Sequence, residues 1–223
     1  MMKKLLLAII NPRKWRTIYI MSSRFLRNII KYGTFSANPN SKRYWNKKLS
    51  RFGNFWIDTS YRYILDLFPQ DKFFSLLDIG CAIGDGCELM QKEFPEARIT
   101  GVDISEIGID KAKRKTKSVE YFVLDILKDQ VPGKYDYITL IQTLEHFEDP
   151  FYVVDKCLRH VNSSLIIMTP YIPGVPSERL GGFWEHRYAF NEITFTNYNC
   201  KVTRITEYIK GPNKQCIIYE ILP

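Results

Sequence analysis

The middle of the chain alternates between short apolar runs and longer polar segments with helical spacing, which is the pattern of an α/β protein. Helical spacing follows Gly86, extends over 105–117 and begins again at Asp149 and Pro150. Two shorter helices are predicted at 61–68 and 191–199. The strands are predicted at 76–79, 97–103, 119–124, 134–142 and 164–168, with a final antiparallel hairpin at 201–209 and 215–222.

The segment 75–88 joins the first of these strands to the first helix through a glycine-rich turn. Gly80, Gly84 and Gly86 permit a turn that other residues form only with strain. A strand, such a turn and a helix N-terminus together form a site where a nucleotide-like ligand can lie against bare backbone. Glycine patterns also occur in strand-to-helix turns without a ligand, so the turn alone does not identify a binding site.

A carboxylate at the end of the second strand favours the binding interpretation. Asp103 follows the glycine turn by about 20 residues, which is the spacing at which an acid grips a ribose diol. A nicotinamide-dependent oxidoreductase shares this arrangement. However, the later strand ends carry no Tyr-x-x-x-Lys pair or comparable hydride-transfer apparatus.

Four segments in this order and spacing resemble the class I S-adenosylmethionine-dependent methyltransferases, most closely the small-molecule branch that includes the ubiquinone-pathway O-methyltransferases. The family usually has glycine where this chain has Ala82, whose methyl group narrows the room beside the ligand. The resemblance implies a three-layer, Rossmann-like sheet of seven strands, mostly parallel with a terminal antiparallel strand. The four segments are Leu-Leu-Asp-Ile-Gly-Cys-Ala-Ile-Gly-Asp-Gly at 76–86, Gly-Val-Asp-Ile-Ser at 101–105, Phe-Val-Leu-Asp-Ile-Leu at 122–127 and Tyr-Asp-Tyr-Ile-Thr-Leu-Ile-Gln-Thr-Leu-Glu-His-Phe-Glu-Asp-Pro at 135–150.

The resemblance also implies the residues that hold S-adenosylmethionine. Asp78 is expected to orient the glycine turn by bonding backbone amides, and Asp103 to accept from both ribose hydroxyls. Asp125 is expected to meet the adenine amino group, although it could equally be a solvated turn residue. Gln142 is expected beside the methionine portion. The full set of predicted cofactor contacts is Asp78, Gly80, Cys81, Gly84, Asp103, Ile104, Asp125, Ile126 and Gln142.

Methyl transfer to a hydroxyl benefits from a base, and the chain contains three histidines. His160 ends a helix and is most simply a capping residue. His146 lies where the fourth strand opens into the cleft, and His186 follows a loop rich in glycine and proline. Either is predicted as the catalytic base, with an orienting role for His146 and a surface position for His186 as the alternatives. Glu145 is expected to be structural or adjacent to the cofactor.

Charge is distributed unevenly along the chain, whose net charge is +8. The chain before Asp58 contains thirteen basic residues and no acidic residue, so the rest of the chain has a net charge of −5. Residues 15–31 have the spacing of a basic amphipathic helix, which is typical of an anchor on anionic lipid. The helix could instead pack as a lid, or dimerise. Nucleic acid is the least favoured partner, because the charge is clustered away from the cofactor cleft and no Asn/Asp-Pro-Pro-Tyr/Phe segment occurs.

The sequence favours a cytoplasmic protein, peripheral on the inner membrane face if residues 1–33 bind lipid. The five cysteines are scattered without a Cys-x-x-Cys pair, which argues for reduced thiols and against a metal site. The apolar run before Asn11 is too short for a signal peptide or a spanning helix. Residues 1–60 are therefore predicted as a basic extension with an aromatic cap over the active site, and residues 61–223 as the methyltransferase domain.

The predicted activity is O-methylation of a small molecule or of a lipid- or glycan-linked acceptor. Two alternatives remain open: a non-catalytic scaffold subunit that binds the cofactor, and a methyltransferase that acts on a macromolecule. Turnover on an acceptor separates the scaffold from the enzymes.

Overall fold

The computed structural model describes residues 40–51, 58–70, 72–171, 177–178, 186–206 and 215–223. The predicted basic helix at 15–31, most of the predicted linker at 34–41 and much of the loop before His186 lie outside these residues. The described segment 40–51 belongs to the same compact unit as the sheet.

Seven strands form one sheet in the order β3-β2-β1-β4-β5-β7-β6. The first five strands pair in parallel, and β7 pairs antiparallel with both β5 and β6. This confirms the predicted mixed sheet with its terminal hairpin. The strands are β1 (Ser75–Ile79), β2 (Arg98–Asp103), β3 (Glu120–Val123), β4 (Tyr135–Ile141), β5 (Val161–Tyr171), β6 (Cys200–Ile205) and β7 (Gln215–Ile221).

The helices alternate with the parallel strands. Two of them begin at residues that cap the helix: the Ser105 side chain accepts from Gly108 N, and the Asp149 side chain accepts from Tyr152 N. Short 3-10 helices span Leu65–Leu67 and Leu144–His146. The α-helices are α1 (Lys42–Arg51), α2 (Asp58–Tyr61), α3 (Asp85–Glu93), α4 (Glu106–Lys115) and α5 (Pro150–Leu158).

The buried apolar side chains divide into two clusters. Consecutive residues of β1 belong to different clusters, Leu76 to one and Leu77 to the other. Because successive side chains of a strand point to opposite faces, this division means that both faces of the sheet are covered. Because both faces of the sheet are covered, a ligand can reach the sheet at the ends of the parallel strands.

Several details of the predicted secondary structure are wrong. Residues 61–68 form the end of α2, turns and a 3-10 helix rather than one helix. Residues 191–199 form turns, because the side chains of Asn191 and Thr194 bond nearby backbone amides and compete with helical bonding. Thr169, Pro170 and Tyr171 lie within β5, not after it. Among the described residues, no helix is both long and apolar enough to cross a bilayer.

Candidate active site

The order of the strands places a crevice at the carboxyl ends of β1, β2 and β4. The chain passes from β1 outward to β2 and β3 on one side, then returns to pair β4 with the other edge of β1. Ligands of open α/β sheets bind at such a reversal, outside the carboxyl ends of the strands. Following the roles predicted from the sequence, we call the part of the crevice beyond β1, β2 and β3 the cofactor half and the part beyond β4 the acceptor half.

The glycine turn after β1 has the backbone that the sequence predicts at two of its three glycines. Gly80 and Gly84 have φ angles of +82° and +83°, in the left-handed region that favours glycine. Gly86 instead lies within α3, where an added Cβ would stand 2.2 Å from the Tyr61 ring. Its role is therefore packing rather than turn formation. Ala82 also adopts a left-handed φ, of +52°, which is strained for a residue with a side chain.

Asp103 at the end of β2 fits a ribose diol. Its Oδ2 accepts from Ala82 N at 2.9 Å and its Oδ1 from Ser105 N at 2.8 Å. Each carboxylate oxygen has two lone pairs, so each retains acceptor capacity for one hydroxyl. Burial raises the pKa of Asp103 to about 6, against the opposing effect of these two backbone hydrogen bonds.

The structure corrects the role predicted for Asp78. This carboxylate is 1% exposed and accepts from the side chains of Tyr61 and Thr139, at 2.7 and 2.8 Å, and from the thiol of Cys87. These bonds go to side chains rather than to turn amides, because Asp78 points under the turn into the core. Burial raises the pKa of Asp78, and the three hydrogen bonds oppose the rise.

Four further residues on this side were predicted to contact the cofactor. Cys81 has a buried thiol, whose pKa burial raises to about 11. Ile104 is half-buried between Asp103 and the cap of α4, and Ile126 belongs to the core. Asp125 follows β3, where its Oδ1 accepts from Leu127 N and its Oδ2 pairs with Lys128. These bonds suit a turn residue and leave the adenine role a prediction.

Gln142 and the residue after it connect the two halves of the site. Gln142 directly follows β4, has a φ of +54° and donates its backbone N–H to Met168 O at 2.7 Å. A non-glycine residue in this region is uncommon and is typical of positions fixed by a functional constraint. The side chain of Thr143 packs so closely on Gly80 that an added Cβ there would lie 2.4 Å from Thr143 Oγ1. The turn after β4 therefore rests on the turn after β1.

The two predicted catalytic histidines come together beyond β4. The rings of His146 and His186 have centroids 5.3 Å apart and meet edge to face. Glu145 holds the segment that follows His186, because its carbonyl accepts from Arg187 N at 2.6 Å and Tyr188 N at 3.3 Å. The sequence separates these histidines by 40 residues, so only the fold could show that they are neighbours.

Glu145, His146 and His186 each offer a ligand atom, and these atoms lie within 4.8 Å of one another. Glu145 is 2% exposed, and both histidines are half-buried. Two imidazoles and a carboxylate suit proton transfer to and from a hydroxyl. They are also a donor set for a divalent cation, a possibility that the cysteine pattern did not reveal.

Helix α1 belongs to the segment predicted to cap the active site, but the sequence did not single out which of its residues lie there. Trp45 packs edge-on against His146, with centroids 4.9 Å apart, and Lys48 lies over the Trp45 ring. Asn40 Nδ2 donates to His146 O at 2.7 Å. The aromatic composition of 44–56 was the available signal, but it did not distinguish Trp45 from its neighbours.

Comparison with known proteins gives matches over most of the described chain. The family described as "Methyltransferase domain" matches residues 41–198. A malonyl-[acyl-carrier protein] O-methyltransferase of Acetivibrio thermocellus is 28% identical over 135 residues, which cover 60% of this chain and 46% of that protein. A ubiquinone biosynthesis O-methyltransferase of Idiomarina loihiensis is 31% identical over 90 residues, which cover 38% of this chain and 36% of that protein. The chain thus spans less than half the length of these curated relatives.

Solved structures show the same fold. The plantazolicin methyltransferase BpumL, crystallised with a desmethylplantazolicin analogue and S-adenosylhomocysteine, superposes with a TM-score of 0.55 at 17% identity and covers 80% of this chain and 85% of its own. The fold and cofactor class predicted from the sequence are confirmed. The chain belongs to the methyltransferase-domain family, within the class I S-adenosylmethionine-dependent methyltransferases.

Proposed function

We propose that this chain transfers the methyl group of S-adenosylmethionine to a hydroxyl oxygen of a small acceptor. The observation that carries the proposal is the placement of two chemistries at one edge of the sheet. Asp103, the carboxylate proposed to bind the diol, is the last residue of β2. The His146–His186 pair lies on the other side of the crevice, beyond the end of β4. The names of the curated O-methyltransferase relatives support oxygen as the accepting atom.

Asp103, Gln142 and the glycine turn bind and orient the cofactor in this proposal. Asp103 accepts from the two ribose hydroxyls, and Asp125 accepts from the adenine amino group. The backbone at Gly80 and Gln142 faces the methionine portion. When bound, S-adenosylmethionine supplies an electrophilic methyl group on a sulfonium sulfur.

His146 or His186 removes the proton of the acceptor hydroxyl, and the neighbouring imidazole orients the ring that acts. A positioned base contributes about 10² to 10⁴ to the rate of such a step. The Trp45 ring packs edge to face on His146, and His146 packs edge to face on His186. Because aromatic rings favour such contacts, this cluster supports a phenolic hydroxyl as the first acceptor to test. The buried carboxylate of Glu145 lies within 4.8 Å of a nitrogen of each imidazole and orients the pair in this proposal.

A membrane-linked acceptor is the finer form of the proposal. Residues 1–33 carry eight basic residues and no acid, and each basic residue near an anionic surface contributes about 1 kcal/mol. Sedimentation with anionic vesicles tests this directly. Full-length protein should sediment and a variant without residues 1–33 should remain in the supernatant, whereas equal sedimentation of the two would exclude the anchor.

Calorimetric titration with S-adenosylhomocysteine, with NADH as the control ligand, tests the cofactor assignment. Saturable binding of S-adenosylhomocysteine alone is expected. Binding of NADH instead would favour an oxidoreductase. Absence of binding by folded protein would reject the cofactor assignment.

Turnover separates the enzyme from a scaffold subunit. Transfer of isotopically labelled methyl groups to phenolic and glycolipid hydroxyls is measured with and without EDTA. If a histidine is the base, EDTA should leave the rate of methylation unchanged. Loss of turnover with EDTA, restored by a divalent cation, would assign Glu145, His146 and His186 to a metal instead. Cofactor binding without turnover on any acceptor would favour the scaffold.

A further inference from the structure

One residue of α1 contacts the turn that follows the ribose-binding acid. The side-chain oxygen of Asn46 accepts from Ser105 Oγ at 2.7 Å and from Ile107 N at 3.3 Å. Both donors belong to the start of α4. Ser105 Oγ also accepts from Gly108 N at 3.0 Å, so the first amides of α4 are capped partly by Ser105 and partly by Asn46.

Ser105 joins Asn46 to the cofactor half of the site. Its backbone N–H donates to Asp103 Oδ1 at 2.8 Å, while its hydroxyl donates to Asn46. Ser105 is fully buried, so neither bond competes freely with water. A ligand that fixes the Asp103 carboxylate therefore also fixes the serine to which α1 is attached.

The neighbouring residue on α1 reaches the acceptor half. The Trp45 ring packs against His146, and Asn40, just before the helix, donates to the His146 carbonyl. Consecutive helical residues point about 100° apart, which lets Trp45 and Asn46 contact opposite halves of the site. None of the ten side chains of α1 is fully buried, so packing alone holds the helix weakly.

We propose that Asn46 is a positioning residue that couples the two halves of the site. Cofactor bound at Asp103 stabilises α1 through Ser105 and Asn46, and α1 then holds Trp45 against His146 where the acceptor binds. The coupling is reciprocal, so bound acceptor also tightens cofactor binding. Bound cofactor thereby helps to complete the acceptor half. This inference rests on the proposed function.

The chemistry of Asn46 determines the variants that test the coupling. Both bonds need only an oxygen that accepts, so Asn46→Asp retains them and Asn46→Ala removes them. Glu106→Gln is the matched control, because it breaks the exposed ion pair between Lys42 and Glu106 that also joins α1 to α4. Exposed pairs of this kind contribute little to stability.

Hydrogen exchange with S-adenosylhomocysteine as the probe measures the coupling without an identified acceptor. In the wild-type protein, the ligand should protect 42–51 and 143–147 from exchange in addition to 101–105. Asn46→Ala should keep the protection at 101–105, lose it at 42–51 and 143–147, and weaken S-adenosylhomocysteine binding about fivefold, the loss expected for about one hydrogen bond. Asn46→Asp and Glu106→Gln should behave as the wild type.

Two results would overturn the coupling while leaving the proposed function intact. Asn46→Ala could retain ligand-induced protection at 42–51, or Asn46→Asp could fail to restore it. Thermal unfolding of each variant establishes that it is folded before exchange is measured. A wild-type protein that does not bind S-adenosylhomocysteine would reject the proposed function, and the coupling with it.

Discussion

The cofactor and acceptor halves of the site are built in different ways. Most of the cofactor half is assembled from residues 78–105, where a strand, a turn and the next strand end lie close in sequence, and the predicted contacts Asp125 and Gln142 follow β3 and β4. The acceptor half is assembled from three distant segments: α1, the turn after β4 and the segment at His186. The same edge of the sheet thus combines a compact motif with a surface made by long-range packing.

This difference has a thermodynamic consequence. The residues beneath the cofactor half are buried, and Asp78 alone receives three side-chain hydrogen bonds there. The acceptor half depends on α1, which has no fully buried side chain. We expect substitutions in the cofactor half to affect binding and stability together, and substitutions in the acceptor half to affect turnover with the fold intact.

The largest effect is expected at the histidine pair. At least one of His146→Ala and His186→Ala should lower kcat about 10² to 10⁴-fold, because the hydroxyl loses its base. S-adenosylhomocysteine affinity should change less than threefold. His160→Ala is the matched control, since its ring bonds the Gly133 carbonyl away from the site. Steady-state assays with an identified acceptor measure the effect, and two fully active histidine variants would remove the base from the mechanism.

Asp103 should have the largest effect on cofactor binding. Asp103→Ala removes the carboxylate that we propose accepts from two ribose hydroxyls, and it also releases the amides of Ala82 and Ser105. Bonds to a charged acceptor contribute about 1.5 to 3 kcal/mol each, so affinity for S-adenosylhomocysteine should fall at least 100-fold. Asp110→Ala, on the exposed side of α4, should bind normally in the same titration. Affinity within tenfold of the wild type would place the ribose elsewhere.

The sequence predicts the cofactor half of the site better than the acceptor half. The left-handed backbone of Gly80 and Gly84 and the position of Asp103 at the end of β2 could be predicted, because each follows from local geometry or from a strand end. Asp78 was assigned the wrong partners, because nothing in the sequence shows that Tyr61 and Thr139 meet it. The neighbourhood of Trp45, His146 and His186 depends on packing between distant segments, which periodicity does not encode.

Gly86 tests whether the core beneath the cofactor half tolerates added volume. An alanine methyl group there would meet the Tyr61 ring at 2.2 Å, so Gly86→Ala should destabilise the protein by about 1 to 3 kcal/mol. Without that contact, alanine would stabilise a helical position by up to about 1 kcal/mol, so the two explanations predict opposite signs. Thermal and denaturant unfolding measure the change. A stabilised variant would mean that the Tyr61 ring moves aside easily.

The pH dependence of binding reports on the Asp103 carboxylate. Burial raises its pKa to about 6, whereas hydroxyls that donate to the ionised form lower the pKa in the complex. Below pH 6, binding must therefore release a proton, and the Kd for S-adenosylhomocysteine should rise about tenfold per pH unit. Above pH 6 the Kd should be constant. The Asp103→Asn variant should bind S-adenosylhomocysteine weakly, with a Kd that does not depend on pH. Calorimetry between pH 5 and 8 compares the variant with the wild type. A wild-type Kd that is constant over this range would contradict the raised pKa.

Ala82 should give the smallest effect, and it tests whether its methyl group restricts the ligand. The residue is 8% exposed, so little of its surface is open to the crevice. Ala82→Gly relieves a left-handed φ of +52°, worth about 1 kcal/mol, but increases the entropy of the unfolded chain by a similar amount. Stability should change by less than about 1 kcal/mol, and affinity for S-adenosylhomocysteine by less than twofold. A gain in affinity of tenfold without a change in stability would show that the methyl group does occupy ligand space, and that the cofactor half is less completely preformed than its backbone indicates.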